Sequence, residues 1–513
     1  MHGCVWRTGV SQLTSSMRAA AVATTAQRQK DVLSKLHKAL EGTQSRRINQ
    51  LFAHTHTQRH SRFSASTIMN SLRKELDLMV YDIIGFDLDG TLLRYDLFEM
   101  SMLIYDALKQ YLVENKNYPP ELLEQKLDMD FLQKGLMLDG SRGNILKLSN
   151  EASILRASHG TRRLSDEEIV AIYGNERRWD VATAFCNDPL STWNGPASNQ
   201  MRTLLDYFDM PSAMVFAQAV DIVDKDEGGG GRRDYKVWPD LLDALMHNYT
   251  RDNFANDQSL YFKAMRAEPQ RYVLPSSGKL LEWLQQLRAM GKKTFLLTGS
   301  NIDFANLTAT HALGPDWQHQ FDFIGTYAKK PGFFTQQRPF LRVDEEAKQE
   351  LPGSEISLQT DLQAGHIYSQ GNWHQLHQTM AKLLGKDASN ARALYFGDNI
   401  IQDIYTPVKH RDFDTVAIAE ELFLLEQSDY QFRSVLNSKF WDSYFISGNT
   451  PTIWSGFIAN YAQLCVSSMD QIAQKSPQER FICTNVNGFY PAPPEQLEYS
   501  NLTSSWHGGN VGA

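Results

Sequence analysis

The stretch Met79-Val80-Tyr81-Asp82-Ile83-Ile84-Gly85-Phe86, followed by Asp87-Leu88-Asp89-Gly90-Thr91, decides how this chain is read. Its first part is apolar and β-branched with few polar interruptions, as expected of a strand buried on both faces of a sheet. Its second part is a polar loop with two carboxylates two residues apart. Carboxylates just past a buried strand are costly unless something offsets their charge. A divalent cation does so most simply, and Mg²⁺ favours one or two carboxylates together with water and phosphate oxygens. A calcium loop is the competing reading, but neither EF-hand spacing nor a closing glutamate is present.

Downstream of this stretch, apolar residues recur at helical spacing from Leu97 to Leu112, and Pro119-Pro120 ends that run. A long mixed region follows to about residue 275, interrupted by Gly228-Gly229-Gly230-Gly231-Arg232-Arg233. That run reads as a surface loop, because no Lys-Ser/Thr pair follows to make a phosphate cradle. Beyond it, helix and strand alternate: helix Leu280–Met290, strand Lys293–Leu297, helix Phe304–Leu313, strand Phe321–Tyr327, helix Trp373–Leu384, strand Ala393–Phe396 and strand Thr415–Ala419. Such alternation predicts an α/β fold with a doubly wound parallel sheet. Ligands of such sheets bind at the carboxyl ends of the strands.

Polar motifs stand at those ends. Thr298-Gly299-Ser300 offers hydroxyls and adjacent amides to phosphate oxygens. Lys330, in Ala328-Lys329-Lys330-Pro331-Gly332-Phe333-Phe334, offers a point charge for phosphate. Gly397-Asp398, with Asp403 five residues on, adds acidity at another strand end, although either aspartate could simply cap a helix. This combination suits phosphoryl transfer. One carboxylate can attack phosphorus, and a second can protonate the leaving oxygen and then activate water. A metal and a lysine offset the repulsion between anionic nucleophile and anionic substrate.

Composition sets the bounds. The chain has 513 residues, of which 42% are hydrophobic and 21% charged, enough for a packed interior. No apolar run reaches membrane-spanning length. A net charge of -8 argues against a general nucleic-acid binder. Cys4, Cys186, Cys465 and Cys483 are too scattered for a disulfide framework or zinc cluster and fit a reducing compartment. Residues 1–70 carry seven Arg and three Lys against Asp31 and Glu41, so the remainder is strongly acidic. That leader reads either as a disordered extension or upstream start, leaving a cytoplasmic protein, or as a mitochondrial transit peptide. His54, His56 and His60 within it make a weak metal motif. The sequons at Asn248, Asn306 and Asn501 carry no weight without a signal peptide.

The four motifs, in this order from Met79 to Ala419, resemble those of the haloacid dehalogenase-like hydrolase superfamily. The purine 5′-nucleotidase branch is similar in further strings: Phe86–Tyr95, Gly143–Leu148, Ala157–Gly160, Lys330–Phe334, Tyr368–Asn372 and Gly488-Phe489-Tyr490-Pro491. The resemblance implies a Rossmann-like hydrolase core over residues 71–96 and 276–460. It also implies an inserted cap over 97–275 and a C-terminal extension over 461–513 that packs on the core. Asp87 would be nucleophile and Mg²⁺ ligand. Asp89 would be the general acid/base, with its backbone carbonyl on the metal. Thr298, the Gly299 amide and Lys330 would hold phosphate, Asp398 would be the third protein ligand, and Asp403 would support it. Gly299 stands where the branch usually has Asn, which leaves the nucleotide preference open.

Asn144, Lys147, His159 and Arg162 are either cap contacts to the substrate or structural residues of the cap–core junction. Phe440, Trp441, Tyr444 and Phe445 read as packing rather than a base-stacking platform. The segment Tyr490-Pro491-Ala492-Pro493-Pro494 reads as a surface wrap. The expected partner is a phosphomonoester, a nucleoside monophosphate first. Another phosphoester or a low-activity interaction protein that retains the fold are the alternatives, and a homo-oligomer is left open.

Overall fold

The computed structural model describes residues 74–193, 196–226, 235–411, 413–425 and 438–483. The leader with its histidines, the four-glycine run, Gly488–Pro491, the Pro-rich segment and the Asn501 sequon lie outside them. All the described residues belong to the compact unit Leu72–Ala513.

The opening strand is shorter than the apolar run suggests. The Asp77 side chain accepts the Met79 N–H at 2.9 Å, so Leu78–Val80 coil into a 3₁₀ turn. The buried strand itself begins only at Ile83. The main sheet has nine strands: β1 (Ile83–Phe86), β2 (Lys293–Leu297), β3 (Phe323–Thr326), β4 (Phe340–Asp344), β5 (Gln349–Glu355), β6 (Ile367–Gln370), β7 (Ala393–Gly397), β8 (Asp414–Ile418) and β9 (Leu464–Val466). Their order is β5-β4-β6-β3-β2-β1-β7-β8-β9. From β6 through β9 every pairing is parallel, and the β4–β5 hairpin adds an antiparallel edge.

The central strand β1 is wholly buried, which explains its unbroken apolar character. Phe86 pairs in register with Leu296 of β2 and Phe396 of β7, and its ring stacks on Phe396 at 5.2 Å. That register brings the loops after β1, β2 and β7 to a single carboxyl edge. The sheet also runs past the expected core boundary at 460. β9 pairs with β8, so the first part of the C-terminal region completes the sheet rather than merely covering it.

The chain leaves and re-enters the core through a two-stranded ribbon, with Arg94 opposite Leu274 and Tyr95 opposite Val273. Between these stems lie a helical layer and a five-stranded antiparallel sheet of Arg162–Arg163, Ile154–His159, Asn144–Leu148, Met137–Asp139 and Met201–Thr203. The helix Leu97–Lys116 starts where the Asp96 carboxylate accepts the N–H groups of Phe98 and Glu99, satisfying donors a helix start leaves free. One apolar cluster joins Met137, Leu146 and Leu148 of the inserted sheet to Ile404, Trp454 and Phe457 of the core. Trp441 and Tyr444 are buried in this region, in keeping with packing. Among the described residues no helix is long and apolar enough to cross a membrane.

Candidate active site

Asp87 continues β1 by one residue, its N–H donating to the Phe396 carbonyl at 2.9 Å. Its Oδ1 lies 2.9 Å from Lys330 Nζ, which also donates to Asp403 Oδ1 at 2.7 Å and to the Tyr395 hydroxyl at 3.4 Å. All four side chains are buried. Burial alone would lower the pKa of the Lys330 ammonium, but the charges of Asp403 and Asp87 outweigh it and hold that pKa well above its ordinary value. Burial pushes Asp87 up to about 7, against the pull of Lys330 and with Asp403 pushing the same way.

Asp398 follows β7, and Asp403 sits in a π-helical turn, Ile400–Tyr405. Asp403 Oδ2 accepts the Asn399 N–H at 3.2 Å, so the turn folds back on the strand end. Two glycines allow the convergence. Gly90 has φ +73°, and a Cβ there would stand 2.7 Å from Asp398 Oδ2. A Cβ at Gly397 would stand 2.3 Å from the Asp403 Cβ. Carboxylate oxygens of Asp87, Asp398 and Asp403 thus lie within 4.8 Å of one another. Burial raises Asp398 well above its ordinary range, Lys134 opposes that, and Asp87 and Asp403 add to it. Burial also raises Asp403 despite Lys330. Lys330 contacts two of these three buried carboxylates, which leaves surplus negative charge in a hard, all-oxygen setting. That donor set fits a hard divalent cation, Mg²⁺ among them.

Asp89 faces the other side of the loop and collects three hydroxyl donors. Tyr95 donates to its Oδ1 at 2.6 Å, while Thr298 and Ser300 donate to its Oδ2 at 3.1 and 2.9 Å. Burial raises its pKa, the Asp87 charge raises it further, and the three hydroxyls oppose the shift. Thr298 extends β2, its N–H donating to the Gly325 carbonyl at 2.9 Å. A side chain at Gly299 would meet nothing within 4 Å, so the backbone there borders open space.

That space is a cavity of about 310 Å³, lined by Asp87, Asp89, Gly299, Lys330 and Asp398 together with an aromatic wall of Phe208, Tyr249, Tyr261 and Phe304. Tyr249 and Tyr261 meet edge to face at 5.1 Å, and Phe208 meets Tyr249 at 6.1 Å.

The structure does not bring the four cap candidates, Asn144, Lys147, His159 and Arg162, to this cavity. Lys147 is buried and donates to the carbonyls of Trp441, Asp442 and Ser443 at 2.7, 3.3 and 2.5 Å, and to Gln133 Oε1 at 2.7 Å. It is a junction residue tying the inserted sheet to the C-terminal region. Asn144 and His159 belong to a separate polar chain. His159 lies 2.8 Å from Asn144 Oδ1 and 2.9 Å from Asp224 Oδ2, and Asn144 donates to the Tyr173 hydroxyl at 2.9 Å. Arg162 pairs with Glu168 on the surface. These residues sit on neighbouring strands of the inserted sheet, where polar side chains interrupt an otherwise apolar run for structural reasons.

Sequence reading missed Tyr95, although it closes the Phe86–Tyr95 string. It also missed Lys134, a buried cap residue 3.4 Å from Glu421 whose charge acts on Asp398. Only the three-dimensional approach of cap to core reveals the latter.

Comparison with known proteins agrees with this geometry. Residues 70–426 match the profile of the 5′ nucleotidase family. The chain is similar to human 5′-nucleotidase domain-containing protein 1, with 33% identity over 461 residues covering 82% of this chain and 97% of that protein. The bovine protein of the same name is 31% identical over 464 residues, covering 82% and 97%. Rat 5′-nucleotidase domain-containing protein 2 is 28% identical over 353 residues, covering 68% of this chain and 58% of that protein.

Proposed function

The chain belongs to the 5′ nucleotidase family, and so to the phosphomonoester hydrolases; from that premise we propose that it hydrolyses nucleoside 5′-monophosphates through an aspartyl-phosphate on Asp87, with Mg²⁺ as cofactor. The observation that carries this reading is the meeting of Asp87, Asp398, Asp403 and Lys330 at the end of a cavity with an aromatic wall. The cavity is at the lower end of the size range of small-molecule sites, and aromatic faces suit a planar base.

Asp87, Asp398 and the Asp89 carbonyl would hold Mg²⁺, with Asp403 supporting them. Bound there, the ion offsets the charge of the nucleophile and of the phosphate. Asp87 attacks phosphorus, forming one P–O bond as the ester P–O bond breaks. Asp89 gives its proton to the departing 5′ oxygen. It then takes a proton from the water that attacks the phosphoryl group, which regenerates the free Asp87 carboxylate and releases phosphate. Its raised pKa suits a group that must begin protonated. Thr298, the Gly299 amide and Lys330 hold the phosphate oxygens. Asp403 fixes the Lys330 ammonium beside the nucleophile.

The test is turnover by the full chain with Mg²⁺ on purine and pyrimidine monophosphates, sugar phosphates and p-nitrophenyl phosphate. The reading expects nucleotides to be preferred and Asp87→Asn to be inactive while folded. A preference for sugar phosphates would move the substrate assignment to another phosphoester. Turnover by Asp87→Asn at the wild-type rate would remove the mechanism.

A further inference from the structure

Asp206 is the carboxylate that the inserted region contributes to the cavity among the described residues. It lies just past the strand Met201–Thr203. Its Oδ1 accepts the N–H groups of Phe208 and Asp209, both at 3.0 Å, which locks the side chain in a tight turn. Arg202 of the same segment gives Nη2 to Asp209 at 2.9 Å. Asp206 and Phe208 both line the cavity.

A carboxylate is out of place opposite a phosphate dianion, since like charges repel. It must therefore face an uncharged part of the substrate that donates hydrogen bonds. Lys330 and Thr298 mark the phosphate end. The charge of Asp206 reaches Asp398 at that same end, adding to the upward push on its carboxyl. The part of a nucleotide next to its phosphate is the sugar, whereas the base lies one ring further away. We propose that Asp206 is a specificity-determining residue that accepts a hydrogen bond from a ribose 2′ or 3′ hydroxyl and so selects ribonucleotides over deoxyribonucleotides. This rests on the nucleotidase reading above. A residue that only caps its turn can be replaced by Asn with no change in this selectivity.

The test compares kcat/KM of the wild-type full chain and Asp206→Asn on a nucleoside 5′-monophosphate, its 2′-deoxy and 3′-deoxy analogues, and p-nitrophenyl phosphate. A hydrogen bond to a charged acceptor sets the scale: the wild type should favour the ribonucleotide over at least one deoxy analogue by about 10- to 100-fold. In Asp206→Asn that ratio should fall to within about threefold, each nucleotide rate being read relative to that on p-nitrophenyl phosphate, which has no ribose. Equal wild-type rates on all three nucleotides overturn the assignment, whatever the variant does. So does a loss in Asp206→Asn that is uniform across all four substrates, which marks a structural role. If the wild type cleaves p-nitrophenyl phosphate and no nucleotide, the nucleotidase reading itself fails, and this assignment falls with it.

Discussion

The Lys330 ammonium stands 2.9 Å from Asp87 Oδ1 and 2.7 Å from Asp403 Oδ1, so one cation joins the loop after β1 to the turn after β7. The three residues are separated by 243 and 73 positions in the chain, yet none is exposed to any useful extent. Removing one partner of a buried ion cluster leaves the others uncompensated and costs about 3–5 kcal/mol. Lys330→Met should therefore unfold at lower urea than the wild type in EDTA. Mg²⁺ should recover part of the loss, because it supplies positive charge to the same carboxylates. Equal unfolding midpoints for the two proteins in EDTA would contradict this.

Asp89→Asn keeps the shape of the side chain and one of its two acceptor oxygens, and its amide NH2 can donate to the hydroxyls on the other side, but it cannot serve as the acid. Turnover of nucleotides should fall by roughly 10²–10⁴-fold while the thermal midpoint changes little. The loss should be smaller on p-nitrophenyl phosphate, whose phenolate leaves without help. A loss of the same size on both esters would show that Asp89 does not act as the acid.

Tyr95→Phe removes the 2.6 Å bond to Asp89 Oδ1 and nothing else of the side chain's bulk. A hydrogen bond to a charged group is worth about 1.5–3 kcal/mol, so kcat should drop by about 10- to 100-fold with KM nearly constant. An unchanged kcat would place Tyr95 outside the machinery.

Lys147→Met separates the two readings of that residue. As a junction residue it holds three backbone carbonyls and Gln133, and its loss leaves buried acceptors unsatisfied. Each such group costs about 1–3 kcal/mol. The unfolding midpoint should fall, whereas kcat/KM measured well below that midpoint should stay near the wild-type value. A selective rise in KM with intact stability would return Lys147 to the substrate.

The catalytic side of the cleft was legible because a few residues carry both its structure and its chemistry. Ile83–Phe86 reads as buried strand from its own composition, and Asp87 and Asp89 then follow in the loop. The same holds for Lys293–Leu297 with Thr298, and for Ala393–Gly397 with Asp398. Local pattern could not say what lies opposite. Phe208, Tyr249 and Tyr261 carry no motif in the sequence and line the cavity only once the inserted region folds onto the core. Conversely, Lys147 stood out within the Gly143–Leu148 string, yet the three carbonyls that hold it lie almost 300 positions away. β9 escaped notice because Leu464–Val466 is three residues long and acquires its role only by pairing with β8.

The most direct test of the central claim is to mix the full chain with a ³²P-labelled nucleoside monophosphate, quench in acid within one turnover, and locate the label by peptide mapping. The account predicts acid-stable label on the peptide containing Asp87 when Mg²⁺ is present, and none in EDTA or in Asp87→Asn. Rapid hydrolysis with no label on that peptide, undiminished in Asp87→Asn, would contradict it.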